Sequence, residues 1–437
     1  MTPTDLAQHI VETPLCDTHE HLRREPDWVD DGPDILRDLF ENYAPADLRS
    51  AGAPEEAMAR LMDASDPDIE GRFEGIRPAW EAAQFTGYGE AVRLIASEIY
   101  GLPELTGAGL AGAQQTLNGL RQPGQRLHLL RDRANLDHVQ VDDFRWLCEP
   151  DASGPEFFLY DLSWANFCSG TIDFGAVAAE TGVTVTDLAS LRRGMEGLFD
   201  KHGPCAIAVK AQHAYNRTLL WEERSDADAA RALEAALKPD PEKGLDEATR
   251  LCLGDWCWAR GVELAVEHDL PFKLHTGYYA GNDRMPVDRI PAGNLCRLLA
   301  QYPDARFVLM HISYPYCDEL VALAKHYRNV WVDLCWAWAI DPFSSCDFVR
   351  RFLHAAPVNK LFGFGGDTGW PTSSAAYAIQ ARRWLTRALE AEVRDGLLTE
   401  AQAMGVATRV MQENQRACFD LEGTRSAIHE AMAGSSA

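Results

Sequence analysis

Apolar positions along this chain alternate between two periods. Short, nearly unbroken apolar runs, read as strands, fall at residues 15–19, 136–142, 156–160, 205–210, 271–275, 306–311, 330–334 and 360–367. Between most of them, apolar residues recur at the three-to-four spacing of a helix. Such helices are predicted over 1–12, 184–201, 225–237, 246–268, 292–302, 317–327 and 343–354, with 375–392 and 399–419 closing the chain. Strands apolar on both faces and alternating with helices mean a parallel sheet covered on both sides. Eight such units close as an α/β fold of the (β/α)8, or TIM, barrel type. An open doubly wound sheet is the rival. It lacks support because no Gly-x-Gly-x-x-Gly follows an early strand, and Gly363-Phe364-Gly365-Gly366-Asp367 comes last without that spacing.

Residues 23–131 interrupt the rhythm after the first strand. They are rich in Ala, Leu and Glu, with helical spacing in Ala91, Val92, Leu94, Ile95 and Ile99. The segment is too long for a structureless loop, so it reads as a helical insertion within one barrel domain spanning 1–437. Composition agrees: 46% of the residues are hydrophobic and 24% charged, enough for a large core. The net charge of −25, from 41 basic and 66 acidic residues, argues against nucleic acid or an anionic membrane as partner. No apolar run approaches the roughly 20 residues of a membrane span, and residues 1–15 carry no apolar core of a secretory signal. Eleven scattered cysteines without a CxxC pair fit reduced thiols, so a cytoplasmic location is expected.

The chemistry sits at the strand ends. His19 and His21 share one face of the first strand, since residues i and i+2 point the same way. The pair suits a divalent metal. Glu20, between them, points to the opposite face and is assigned no catalytic role. Lys210, His275, His311 and Asp367 end later apolar strands. In a barrel these ends meet at one rim, and three histidines plus a carboxylate make a ligand shell for Zn²⁺, or for Mn²⁺ or Fe²⁺. Each has a plainer reading. A lone histidine can cap a strand, Asp367 can cap the next helix, and Lys210 can extend to solvent. Arg217, Arg284, Tyr278, Tyr314, Trp336 and Trp370 lie near the same ends. Arginine forks grip carboxylates, and Tyr and Trp offer apolar faces with polar tips. Together they suggest a small-molecule substrate, a carboxylate with a ring or sugar skeleton. Packing of long loops explains any one of them equally well.

In that order, His19-Glu20-His21, Lys210, His275, His311 and Asp367 resemble the amidohydrolase superfamily of metal-dependent barrels, over residues 15–370. That family carries His-x-His on strand one, in some members Lys on strand four, His on strands five and six, and Asp on strand eight. His311-Ile312-Ser313 and Gly365-Gly366-Asp367 are most similar to its decarboxylase and hydrolase branch. The insertion, with Trp80, Gly101 and Leu105, is similar to that of uronate isomerases. The resemblance implies His19 and His21 as ligands, His275 as third ligand or near neighbour, and Asp367 as ligand and general base. His311 would stabilise charge on a substrate oxygen. Lys210 would be a carboxylated bridge between two ions or a cation facing substrate; the four ligands already fill one site, so a single ion is expected. The implied activity is hydrolysis of an amide, lactone or similar bond, with decarboxylation or uronate isomerisation as the alternative, in a homo-oligomer. A barrel that binds metal without catalysis is the reading from another class, and the full ligand set argues against it.

Overall fold

The structure is a computed structural model that describes residues 4–238, 244–280 and 285–435. Eight parallel strands follow one another around a barrel: β1 (Leu15–Glu20), β2 (Leu136–Val141), β3 (Phe158–Ser163), β4 (Ala206–Ala211), β5 (Phe272–Leu274), β6 (Phe307–Leu309), β7 (Val330–Asp333) and β8 (Leu361–Phe362). Their spatial order is their sequence order, consecutive strands lying side by side. The ring closes between β1 and the stretch after β8, through Thr18 N–H to the Phe364 carbonyl (3.1 Å), Asp367 N–H to His19 (2.9 Å) and His21 N–H to Thr368 (2.9 Å).

Two strands differ from the sequence reading. The third begins at Phe158, because Glu156 lies in a turn in which the amides of Phe157 and Phe158 both reach the Gly154 carbonyl. The eighth is regular only at Leu361 and Phe362, after which glycines let the backbone press inward. A Cβ on Gly365 would stand 2.7 Å from Cys335 Sγ, and one on Gly366 2.0 Å from Glu20 Oε1. Only glycine fits there.

The barrel interior is layered. Leu159, Ile207, Val308 and Phe362 fill one end, plugged by Phe419, Leu421 and Ile428 from the C-terminal segment. Above them Lys273 pairs with Asp161 (2.8 Å) and donates to the Thr18 carbonyl (2.7 Å), while Thr18 donates to Asp333 (2.6 Å). The metal-ligand candidates occupy the open end.

Helices cover the outside. Their caps follow the sequence: Ser225 accepts from Asp228 N–H at the start of Asp226–Leu237, and Asp246 from Thr249 N–H at the start of Glu247–Glu267. The expected 399–419 helix is instead Glu400–Thr408 and Asn414–Cys418, joined by a π-turn over Arg409–Glu413. A further helix, Leu421–Ser435, was not legible as a separate element. The insertion is helical from Glu25–Asp31 to Gln125–Leu127, and Ala91, Val92, Leu94, Ile95 and Ile99 are buried. All eleven cysteines are free thiols. Among the described residues no helix is long and apolar enough to cross a membrane.

Candidate metal centre and substrate cavity

β1 carries His19 and His21 onto the same side, and the chain leaving β8 brings Asp367 against both. His19 Nε2 lies 3.3 Å and His21 Nε2 3.2 Å from Asp367 Oδ1. An ion with tetrahedral bonds of ~2.0–2.1 Å holds its ligand atoms roughly 3.3–3.4 Å apart, so the trio has the spacing of a metal site. The tautomers also fit. A carbonyl only accepts, so the 2.7 Å contact of His21 Nδ1 with the Asp142 carbonyl puts the proton on Nδ1 and leaves Nε2 for a metal. Burial holds His19 well below the ordinary histidine range, and Lys210 beside it adds to the effect. At His21 burial also lowers the pKa, but contact with Asp367 prevails and raises it. A cation would replace the proton shared between them. Burial opposes ionisation of Asp367; contacts with His19 and His21 outweigh it and hold the carboxyl well below its usual range.

The other strand-end residues surround this trio. Lys210 Nζ is buried 3.3 Å from His19 Nε2. His275 stands beside His311, ring centres 4.3 Å apart, and donates from Nε2 to the Tyr278 carbonyl (2.9 Å). It is not part of the His19–His21–Asp367 cluster. His311 donates from Nδ1 to the Cys335 carbonyl (3.0 Å), and its Nε2 lies 3.8 Å from Asp367 Oδ2 with no hydrogen-bond partner. Burial lowers the His311 pKa to about 4. The neutral ring therefore offers Nε2 as an acceptor. The oxyanion-stabilising role expected from the sequence needs a donor there, and this tautomer does not supply one. His311, Ile312, Ser313, Trp336 and Asp367 all carry positive φ, a concentration of strained backbone at the ends of β6, β7 and β8.

The substrate-binding candidates divide. Trp336 meets His311 edge to face (5.4 Å) and lies tilted against Tyr278 (5.8 Å), with its Nε1 unpartnered. Tyr314 instead lines a separate surface depression with Tyr316 and Cys317. Trp370 is buried and donates Nε1–H to Glu41 (3.1 Å). Arg217 is spent inside the protein: its guanidinium reaches Asp255 (2.5 Å) and the carbonyls of Cys168 and Leu220 (3.0 Å each). Arg284 lies outside the described residues. Glu20 is buried on the far face of β1, as expected, where it accepts from Thr368 N–H (2.5 Å) and Oγ1–H (2.9 Å).

A cavity of about 760 Å³ opens from His21, Lys210, His275 and Asp367. Its further lining includes Tyr43, Phe144, Trp146, Gln212 and Tyr215. The sequence reading missed Tyr43, Phe144 and Trp146, because each reaches the site from a long loop or the insertion and no motif surrounds it. Gln212 was missed too: of the loop after Lys210, only Arg217 was singled out.

The fold is a (β/α)8 barrel, and its C-terminal rim gathers His19, His21 and Asp367, groups that could hold a divalent metal ion. Residues 205–403 match the amidohydrolase family model. Over 229 residues the chain is 27% identical to Protein fluG of Emericella nidulans; that match takes in 50% of this chain and 26% of the relative, so the chain spans about a quarter of it. The uronate isomerase of Thermotoga maritima superposes with a TM-score of 0.78 at 15% identity, covering 95% of this chain and 96% of its own. The glucuronate isomerase of Caulobacter crescentus gives 0.75 at 16%, with 96% of each chain covered.

Proposed function

We propose that this protein is a metal-dependent hydrolase, with zinc as the preferred ion, that cleaves an amide, lactone or similar bond of a small organic acid. The observation that carries the reading is the His19–His21–Asp367 trio, with both histidines at tetrahedral spacing from Asp367, opening onto a cavity lined by aromatic side chains and alanines together with Arg145, Asn166, Asp173 and Glu180. When bound, a divalent cation brings the pKa of a water toward about 7 and polarises a carbonyl. Asp367, held as a carboxylate, takes the proton from the attacking water and returns it to the leaving group. His311 Nε2, an unpartnered acceptor, orients that water. Lys210 Nζ, the donor on the same wall, faces the substrate oxygen without being carboxylated, so one ion per chain is expected.

Isomerisation of a uronate is the second reading, favoured by the full-length likeness to two uronate isomerases, insertion included. Zinc-loaded protein incubated with N-acyl acids, lactones and D-glucuronate separates them. Hydrolysis yields a free amine or an opened lactone, isomerisation yields a ketose acid, and decarboxylation releases CO₂. Ketose formation without hydrolysis would replace the first reading by the second. Substituting both His19 and His21 by Ala should remove the ion and leave a folded barrel; full metal occupancy in that variant would refute the ligand assignment.

A further inference from the structure

We infer that the cavity takes a substrate with a flat apolar arm joined to an amide N–H, the arm lying in a slot beside β2 and the N–H meeting Gln212; this rests on the hydrolytic reading above. One wall of the slot is the loop after β2. There Phe144 holds φ +62° and is 61% exposed, both unfavourable for a phenylalanine. Its N–H is pinned to Asp142 Oδ1 (2.9 Å), and its ring lies parallel to His21 at 4.5 Å. The same Asp142 holds His21 through its carbonyl. One residue thus sets a metal-ligand candidate and an aromatic face side by side. Trp146 extends that face and is braced by Phe167 (5.8 Å).

Small side chains line the cavity as well. Ala176 and Ala179, three apart and so on one face of the helix Phe174–Thr181, line the cavity. The lining also carries Arg145, Asn166, Asp173 and Glu180, so it is the Phe144–Trp146 face together with these alanines that receives an apolar arm.

Gln212 supplies the polar end. It follows Lys210 by two residues and lines the cavity, and its Oε1 is buried without a partner. A buried acceptor of this kind calls for a donor from the ligand. An amide N–H provides one; an ester oxygen does not. At 760 Å³ the cavity is in the upper part of the range for sites that enclose an organic ligand of drug size.

The test is equilibrium binding to the zinc-loaded full chain, read by calorimetry, with phenylacetamide, acetamide, methyl phenylacetate and D-glucuronate as probes. Phenylacetamide should bind at least about tenfold tighter than acetamide, the yield of burying one ring. Ala179→Trp, which fills the slot, should cut that ratio to below about threefold. Gln212→Leu should erase the preference for phenylacetamide over methyl phenylacetate. Zinc content measured in each variant shows whether the centre is intact. Equal binding of phenylacetamide and acetamide, or an undiminished ratio in Ala179→Trp, overturns the slot. Tighter binding of D-glucuronate than of phenylacetamide overturns it in favour of a polyol site. An intact arm preference with no amide cleaved would refute hydrolysis and leave the slot standing.

Discussion

Tyr43 offers the sharpest test of how the candidate centre is held together. It belongs to the insertion, yet its hydroxyl donates to the backbone carbonyl of Asp367. Neighbours in the same short stretch make parallel ties to the chain after β8. Asp38 accepts from Thr372 (2.6 Å), Glu41 from Trp370 (3.1 Å) and Asn42 Oδ1 from Gly369 N–H (2.9 Å). Asp367 itself sits at φ +58°, which costs a non-glycine residue roughly 1–2 kcal/mol. Tyr43→Phe keeps the ring against Trp336 (4.5 Å) and Tyr88 (5.4 Å) but leaves the Asp367 carbonyl without its side-chain donor. An unsatisfied buried acceptor costs about 1–3 kcal/mol, as much as the strain that the bond offsets. The variant should therefore lose about 1–3 kcal/mol of stability by urea titration of the metal-free protein. Its zinc affinity, by competition with a chelating dye, should fall roughly tenfold or more, as for other groups that orient ligands. Unchanged zinc affinity alongside the stability loss would refute the reasoning, since it would mean that the hydroxyl merely packs the insertion.

Asp367→Asn should retain much of the zinc but lower kcat by about a hundredfold or more; an unchanged kcat across pH would reduce Asp367 to a structural residue. Arg217→Ala should destabilise by roughly 3 kcal/mol, because it strips one partner from the buried Asp255; a raised KM at unchanged thermal stability would instead restore the substrate role first expected for it. Asp38 gives a pH signature. Burial, only partly offset by Thr372 and Tyr100, raises its pKa from 3.8 to about 6. With the folded value above the unfolded one, its contribution is full below pH 4 and lost as pH rises through about 6. Asp38→Asn, which cannot ionise, should thus gain on the parent by up to roughly 3 kcal/mol between pH 4 and 7; a pH-independent difference in urea midpoints would contradict that environment.

Much of this protein was legible without coordinates, and for a definite reason. Strand position and side-chain direction are local properties. Period-two alternation places His19 and His21 on one face, and apolar runs locate all eight strands. The C-terminal ends of parallel strands must gather at one rim. Asp367 therefore meets the two histidines although some 350 residues separate them in sequence. The Gly365-Gly366 pair is what lets the chain pass close to Cys335 and Glu20. What lies beyond the strand ends was decided only by the tertiary structure. Loops and insertions carry no period that says which way they fold, so Tyr43, Phe144 and Trp146 looked like any other aromatic residues. Arg217 looked like a substrate ligand because its partner, Asp255, lies on a separate helix and nothing in the sequence pairs them. The tautomer of His311 was likewise invisible. It depends on the Cys335 carbonyl standing 3.0 Å away, a distance set by the packing of β6 against β7 and not by any residue's own preference.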